Sequence, residues 1–130
     1  MPHFTFDYSA NLEGVVDMRA LSRLIHETMM QTELFELGAV RVRGFRTDVY
    51  AVADLLAENA FIDMSLRIGK GRSDADKKRV GETIFAAVSA FLSERFETPH
   101  FMLSLEIREI DAELSWKKNA IHPRLRQKAI

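Results

Sequence analysis

Residues 60–76, AFIDMSLRIGKGRSDAD, decide the fold. Ile62, Met64, Leu66 and Ile68 alternate with Asp63, Ser65 and Arg67, the period of two that marks a strand. Gly69-Lys70-Gly71-Arg72 then reads as a loop. Ser73 reads as a helix N-cap, with Asp76 three residues on in the capping-box position. Downstream, Val80, Ile84, Val88 and Phe91 fall on one helical stripe. Thr98-Pro99 breaks that run. Phe101, Leu103, Leu105 and Ile107 then alternate with Met102, Ser104, Glu106 and Arg108 as a second strand. Strand, helix and strand follow one another in a single β-α-β unit.

Upstream, the same unit appears again. Phe4, Phe6 and Tyr8 alternate with His3, Thr5 and Asp7. A turn-rich stretch, residues 9–14, leads to Asp17 as an N-cap. Leu21, Leu24, Ile25, Thr28 and Met29 share one stripe, and Gly38 ends the helical region. Residues 39–45 read as a strand in which arginines alternate against valines. The chain thus reads as one α+β domain over residues 1–130. It holds a pseudo-repeat at 2–53 and 60–115, a linker near 54–59 and a C-terminal tail at 116–130. The basic run at 124–128 reads as a solvated end. Right-handed crossovers would place both units in one four-stranded sheet with both helices on one face. Two helices cover only that face. The other is then left partly apolar, which predicts a homo-oligomer. The alternative is a monomer whose tail, from Leu114 onward, covers the open face.

Composition narrows the function. The 130 residues are 47% hydrophobic and 28% charged, ordinary for a globular domain with a real core. A net charge of −1 gives no reason to expect a nucleic-acid or acidic-membrane partner. With no cysteine, thiolate chemistry and thiolate zinc sites are excluded. His3, His26, His100 and His122 have no ligand spacing, so no metal is expected. No apolar run approaches the roughly 20 residues of a membrane helix. No signal peptide is legible either, so a cytoplasmic location is expected.

Pro2 stands behind Met1, a residue expected to be removed. Inside a chain, proline has no N–H and no basic nitrogen. At a free terminus it is a secondary amine on a rigid ring. A terminal amine titrates at about 7.7–8.0, within reach of neutrality. Alone, Pro2 reads as an accident of the start.

The order of motifs changes that reading. The initial Met-Pro, the repeated β-α-β unit and the Gly-Arg-Ser-Asp at the start of the second helix resemble the tautomerase superfamily. That superfamily includes 4-oxalocrotonate tautomerase and macrophage migration inhibitory factor. Within it, the chain is most similar to the 5-carboxymethyl-2-hydroxymuconate isomerase family. The likeness runs through Met-Pro-His-Phe, Arg41-Val42-Arg43, the run from Met64 to Ser73, the Leu-Ser-x-Glu-Ile at 103–107, and Lys118-Asn119 followed by His122. The resemblance implies three chains around an axis and no cofactor. It implies Pro2 as catalytic base, and Arg41 and Arg72 as ligands of substrate carboxylates. It also implies a place in the breakdown of aromatic acids such as homoprotocatechuate. The second unit begins Ala60-Phe61, so each chain has one proline site.

The chemistry is coherent. Moving a double bond needs one proton removed and one returned, and a single base can do both. Burial and nearby cations lower an amine's pKa and keep it unprotonated. Arginines pair bidentately with carboxylates and stabilise a developing dienolate. Taken singly, Arg41 also reads as an edge charge, and Arg43, on the same face, competes with it for the ligand role. Arg72 precedes a helix N-terminus, a natural anion site. Strand alternation assigns His3 a structural role. Trp116 reads either as an apolar wall beside Pro2 or as a core or interface residue. Two other functions stay open: a tautomerase of another unsaturated 2-oxo or 2-hydroxy dicarboxylate, or a non-enzymatic oligomeric binding module.

Overall fold

In the computed structural model, which describes residues 1–128, the alternation at the N-terminus forms strand β1, His3–Ser9. Its Phe4, Phe6 and Tyr8 are buried. Helix α1, Met18–Gln31, starts where Asp17 accepts a hydrogen bond from the Ala20 amide. A 3-10 turn, Leu37–Ala39, precedes β2, Arg41–Thr47. That strand therefore begins two residues later than the pattern suggests. β3 spans Ala60–Gly69. The Ser73 hydroxyl then accepts from the Asp76 amide at 3.1 Å and starts α2, Asp74–Phe91. β4 is Phe101–Ile110.

The sheet order is β2-β1-β3-β4. β1 pairs parallel with β2, and β3 parallel with β4, while β1 and β3 meet antiparallel at the centre. This is the α+β arrangement expected of two β-α-β units. One core joins Phe4, Phe6, Leu21, Ile25, Met64 and Ile84 between the sheet and α1 and α2.

Three features differ from the sequence reading. First, the face away from the helices is not left largely apolar. Leu103, Leu105 and Ile107 lie in register with the buried Ile62, Met64 and Leu66 and pack against the core. Paired residues project to the same face of a sheet. The open face instead carries Asp7, Arg43, Asp63, Ser104 and Glu106, with few apolar side chains such as Phe45 and Met102. An uncovered apolar sheet face is therefore no argument for assembly. The tail does not blanket this face either, since Leu114 and Trp116 are exposed.

Second, Phe91 is 41% exposed, and Leu92 is the buried residue at that end of α2. The buried side advances in steps of four through Val80, Ile84, Val88 and Leu92. Each such step turns about 40° around the helix, so the core-facing line follows the sheet and leaves Phe91 behind.

Third, the basic run at 124–128 belongs to a helix, α3, Ile121–Lys128. Asn119 accepts from the amides of Ile121 and His122 and donates to the Gly38 carbonyl. Arg126 pairs bidentately with Glu36 at 2.6 and 2.7 Å. α3 is thereby fastened to the turn before β2. Residues 129 and 130 of the expected tail lie outside the described residues.

Gly44 lies against Phe6. A Cβ there would come within 2.5 Å of the Phe6 ring, whose side chain is in the core. Gly44→Ala is expected to lower stability by about 1–3 kcal/mol through overpacking, read as a lower urea midpoint with an unchanged m-value.

Candidate active site

The start of β1, the start of β2, the end of β3 and the segment after β4 converge on one open cleft of about 890 Å³. Register explains the convergence. His3 is paired with Arg41 on one side and with Arg67 on the other. Arg67 is paired in turn with Arg108. Strands lie 4.7–4.9 Å apart, so Arg41 and Arg67 are about 10 Å apart at their Cα atoms, with His3 between them.

Met1, His3, Arg41, Arg67 and Trp116 all line the cleft. Lys70, Lys117 and Lys118 line it too, and no aspartate or glutamate does. Pro2 is buried behind Met1. With Met1 in place, the terminal ammonium belongs to Met1. Burial holds that ammonium below its ordinary 8.0, and Lys117, Arg72, Arg41 and Arg67 push it further down, in that order.

The sequence-derived candidates take different positions. Arg41 is half-buried in the cleft wall, with its guanidinium 3.3 Å from the Met1 sulfur. Arg72 stands outside the lining. Its guanidinium lies 4.9 Å from the centre of the Phe35 ring. It donates to the carbonyls of Gly69 (3.3 Å) and Leu34 (3.1 Å). It still lies close enough to depress the terminal ammonium. Arg43 sits two residues further along the strand, opposite Thr5, with its guanidinium 5.9 Å from the Phe45 ring centre. It does not line the cleft. Trp116 is 85% exposed and forms part of the cleft wall, so within this chain it is not a core residue. No group of three or more histidine, aspartate and glutamate side chains able to hold a metal ion comes together among the described residues.

Two cleft residues, Arg67 and Lys117, carry no mark in the sequence, and a third, His3, reads there as structural. Alternation did place His3 and Arg67 opposite the core. What it lacked was the register that sets them side by side. His3 is more than a spacer, since its Nδ1 is buried without a hydrogen-bond partner. Burial, then Arg41, Arg67 and Arg43, lowers its pKa from 6.5 to about 4. His3 is therefore neutral at pH 7. As the pH falls from 6.5 towards 4, the unfolded chain takes up a proton that folded His3 refuses. The stability this neutral group allows above 6.5 is lost in that window. His3→Gln removes the titration. The variant's urea midpoint relative to the parent is expected to rise between pH 7 and pH 4.5.

A two-fold β-α-β sheet with the chain start set in a cationic cleft is the arrangement that the resemblance to the tautomerase superfamily implies. Comparison with known proteins agrees. The family model described as 5-carboxymethyl-2-hydroxymuconate isomerase matches residues 2–125. The 5-carboxymethyl-2-hydroxymuconate Delta-isomerase of Escherichia coli is 31% identical over 122 residues, covering 94% of this chain and 97% of that protein. The crystal structure of a 5-carboxymethyl-2-hydroxymuconate isomerase from Deinococcus radiodurans R1 superposes with a TM-score of 0.90 at 34% identity, covering 95% of this chain and 93% of the other. A fused 4-OT symmetric trimer shares the fold at a TM-score of 0.64 and 14% identity, covering 89% of this chain and 93% of its own. The chain belongs to the 5-carboxymethyl-2-hydroxymuconate isomerase family.

Proposed function

We propose that this chain is an isomerase converting 5-carboxymethyl-2-hydroxymuconate to its keto tautomer during the breakdown of aromatic acids, with Pro2 as the base once Met1 is removed. The observation that carries this reading is the terminal ammonium held below 8.0 by burial and four cations. Those cations are also suited to an anionic substrate. The Pro2 nitrogen, one residue inside Met1, would inherit the same surroundings as a free secondary amine.

The proton balance is simple. The substrate's C2 hydroxyl gives its proton to the Pro2 nitrogen. The O–H electron pair becomes the C2 carbonyl bond, and the diene shifts to a C3–C4 double bond. The proton then passes from Pro2 to C5, leaving the base as it began. Arg41 from β2 and Arg72 at the head of α2 take carboxylates, and they oppose the negative charge that spreads over the dienolate. Arg43 lies too far along β2 to share in this, and Trp116 contributes an apolar wall.

We take the working unit to be a homotrimer. β2 and β4 are both edge strands with unpaired backbone groups, which favour partners. A solved protein of the same fold is itself a symmetric trimer.

Ultraviolet absorbance of 5-carboxymethyl-2-hydroxymuconate tests the activity directly. A protein confirmed by mass to begin at Pro2 is expected to convert it. Its kcat/KM should fall on the acid side as the Pro2 nitrogen takes up a proton, since the base is active only when deprotonated. No conversion by that protein would overturn the named activity.

A further inference from the structure

The proposed substrate carries three carboxylates: one at each end of the muconate chain and one on the carboxymethyl arm. Arg41 and Arg72 account for two. The cleft holds more positive charge than two anions require, with Arg41, Arg67, Lys70, Lys117 and Lys118 along its wall and no acidic side chain among the lining residues. The whole chain has a net charge of only −1, so this is local segregation of charge. Such a cleft focuses its field and draws in polyanions.

The five lining cations are not equivalent. Lys70 has Asp111 close enough to respond to its charge. Arg41 is already assigned. Arg67 and Lys117 have no acidic partner among the described residues. Both also rank, with Arg72 and Arg41, among the cations that act on the chain start. Lys118 is not among them. Arg67 rises from β3 on the far side of His3 from Arg41. Lys117 arrives from the segment after β4, beside Trp116. Both line the same cleft as Arg41 and add positive charge to it beyond Arg41.

We propose that Arg67 and Lys117 form a subsite for a third carboxylate and so make the cleft selective for tricarboxylates over dicarboxylates. The proposal rests on the isomerase reading above and adds to it the residues that recognise the carboxymethyl arm. Neither side chain need move a proton. Each would hold a carboxylate that stays chemically unchanged and so fix C5 against Pro2.

The test compares two substrates that differ only in the arm: 5-carboxymethyl-2-hydroxymuconate and 2-hydroxymuconate. Arg67→Met, Lys117→Met and the double variant are assayed with both, and Arg67→Lys serves as the conservative control. Both positions are exposed, and turnover of 2-hydroxymuconate itself reports a folded site. Loss of one charge-assisted contact is expected to lower kcat/KM for the tricarboxylate about tenfold or more. Both cations also lower the pKa of the chain-start amine, so 2-hydroxymuconate shares whatever their loss costs the base. The ratio of the two kcat/KM values should still fall about tenfold, and Arg67→Lys should recover most of it. If the variants lower both substrates equally, or neither, the ratio is unchanged. The subsite is then overturned while the isomerase reading stands. A parent protein that converts neither substrate overturns that reading, and the subsite with it.

Discussion

Pro2→Ala, in protein processed to begin at residue 2, is expected to lower kcat for 5-carboxymethyl-2-hydroxymuconate by about 10²-fold or more. The variant keeps a terminal amine, but a primary and freely rotating one. The lost ring is what holds the nitrogen in a single direction, and proton transfer is sensitive to that placement. The strand behind it should survive, because β1 is anchored by Phe4 and Phe6 in the core and by pairing on both sides. Retained Met1 gives a stronger result by a different route. Pro2's nitrogen is then an amide with no basic pair, and Met1 lies in the cleft against Arg41. Protein carrying Met1 should show no turnover above background, and its removal by an aminopeptidase should restore it. Equal rates with and without Met1 would remove Pro2 from the mechanism.

Much of this architecture was legible because it is local. Alternation from Ile62 to Ile68, the Ser73 cap and the stripe of α2 each lie within a few residues, and each follows from periodicity or capping chemistry. The site was legible only in part, because it is assembled by register. His3, Arg41 and Arg67 are far apart in sequence, and nothing local says that they stand in one row across three strands. The open face failed for a related reason. Which side of β4 meets the helices depends on its pairing with β3, and a one-residue slip would invert every side chain. α3 had a local signal that went unused: Asn119 as a cap and Pro123 in the first helical turn. Its basic residues concealed that signal, since their partner, Glu36, is ninety positions away.

The two arginines carried over from the resemblance should fail in different ways. Arg41 lies in the cleft wall, and its one side-chain hydrogen bond among the described residues is to the sulfur of Met1, the residue whose removal the proposed mechanism requires. Arg41→Ala therefore costs the fold little. It removes a charge-assisted grip on a carboxylate, which predicts a loss in kcat/KM of about 10- to 100-fold, mostly in KM. Arg72 is bound into the structure on three sides, by the Gly69 and Leu34 carbonyls and the Phe35 ring. Held in that way, its charge is preorganised near the chain start and need not reorient as the dienolate forms. Interactions of this kind act on the transition state. Arg72→Ala should therefore lower kcat by about 10²-fold. It should also lower stability by about 1–3 kcal/mol, because two carbonyls lose their donor. Arg72→Lys keeps the charge but loses the planar stacking and the forked geometry. It should recover part of the stability and little of kcat. Urea unfolding and steady-state kinetics on the same three proteins separate the two roles. If Arg72→Ala is destabilised but its kcat at saturating substrate is unchanged, Arg72 is a structural arginine, and Arg41 with the other cleft cations carries the charge chemistry without it.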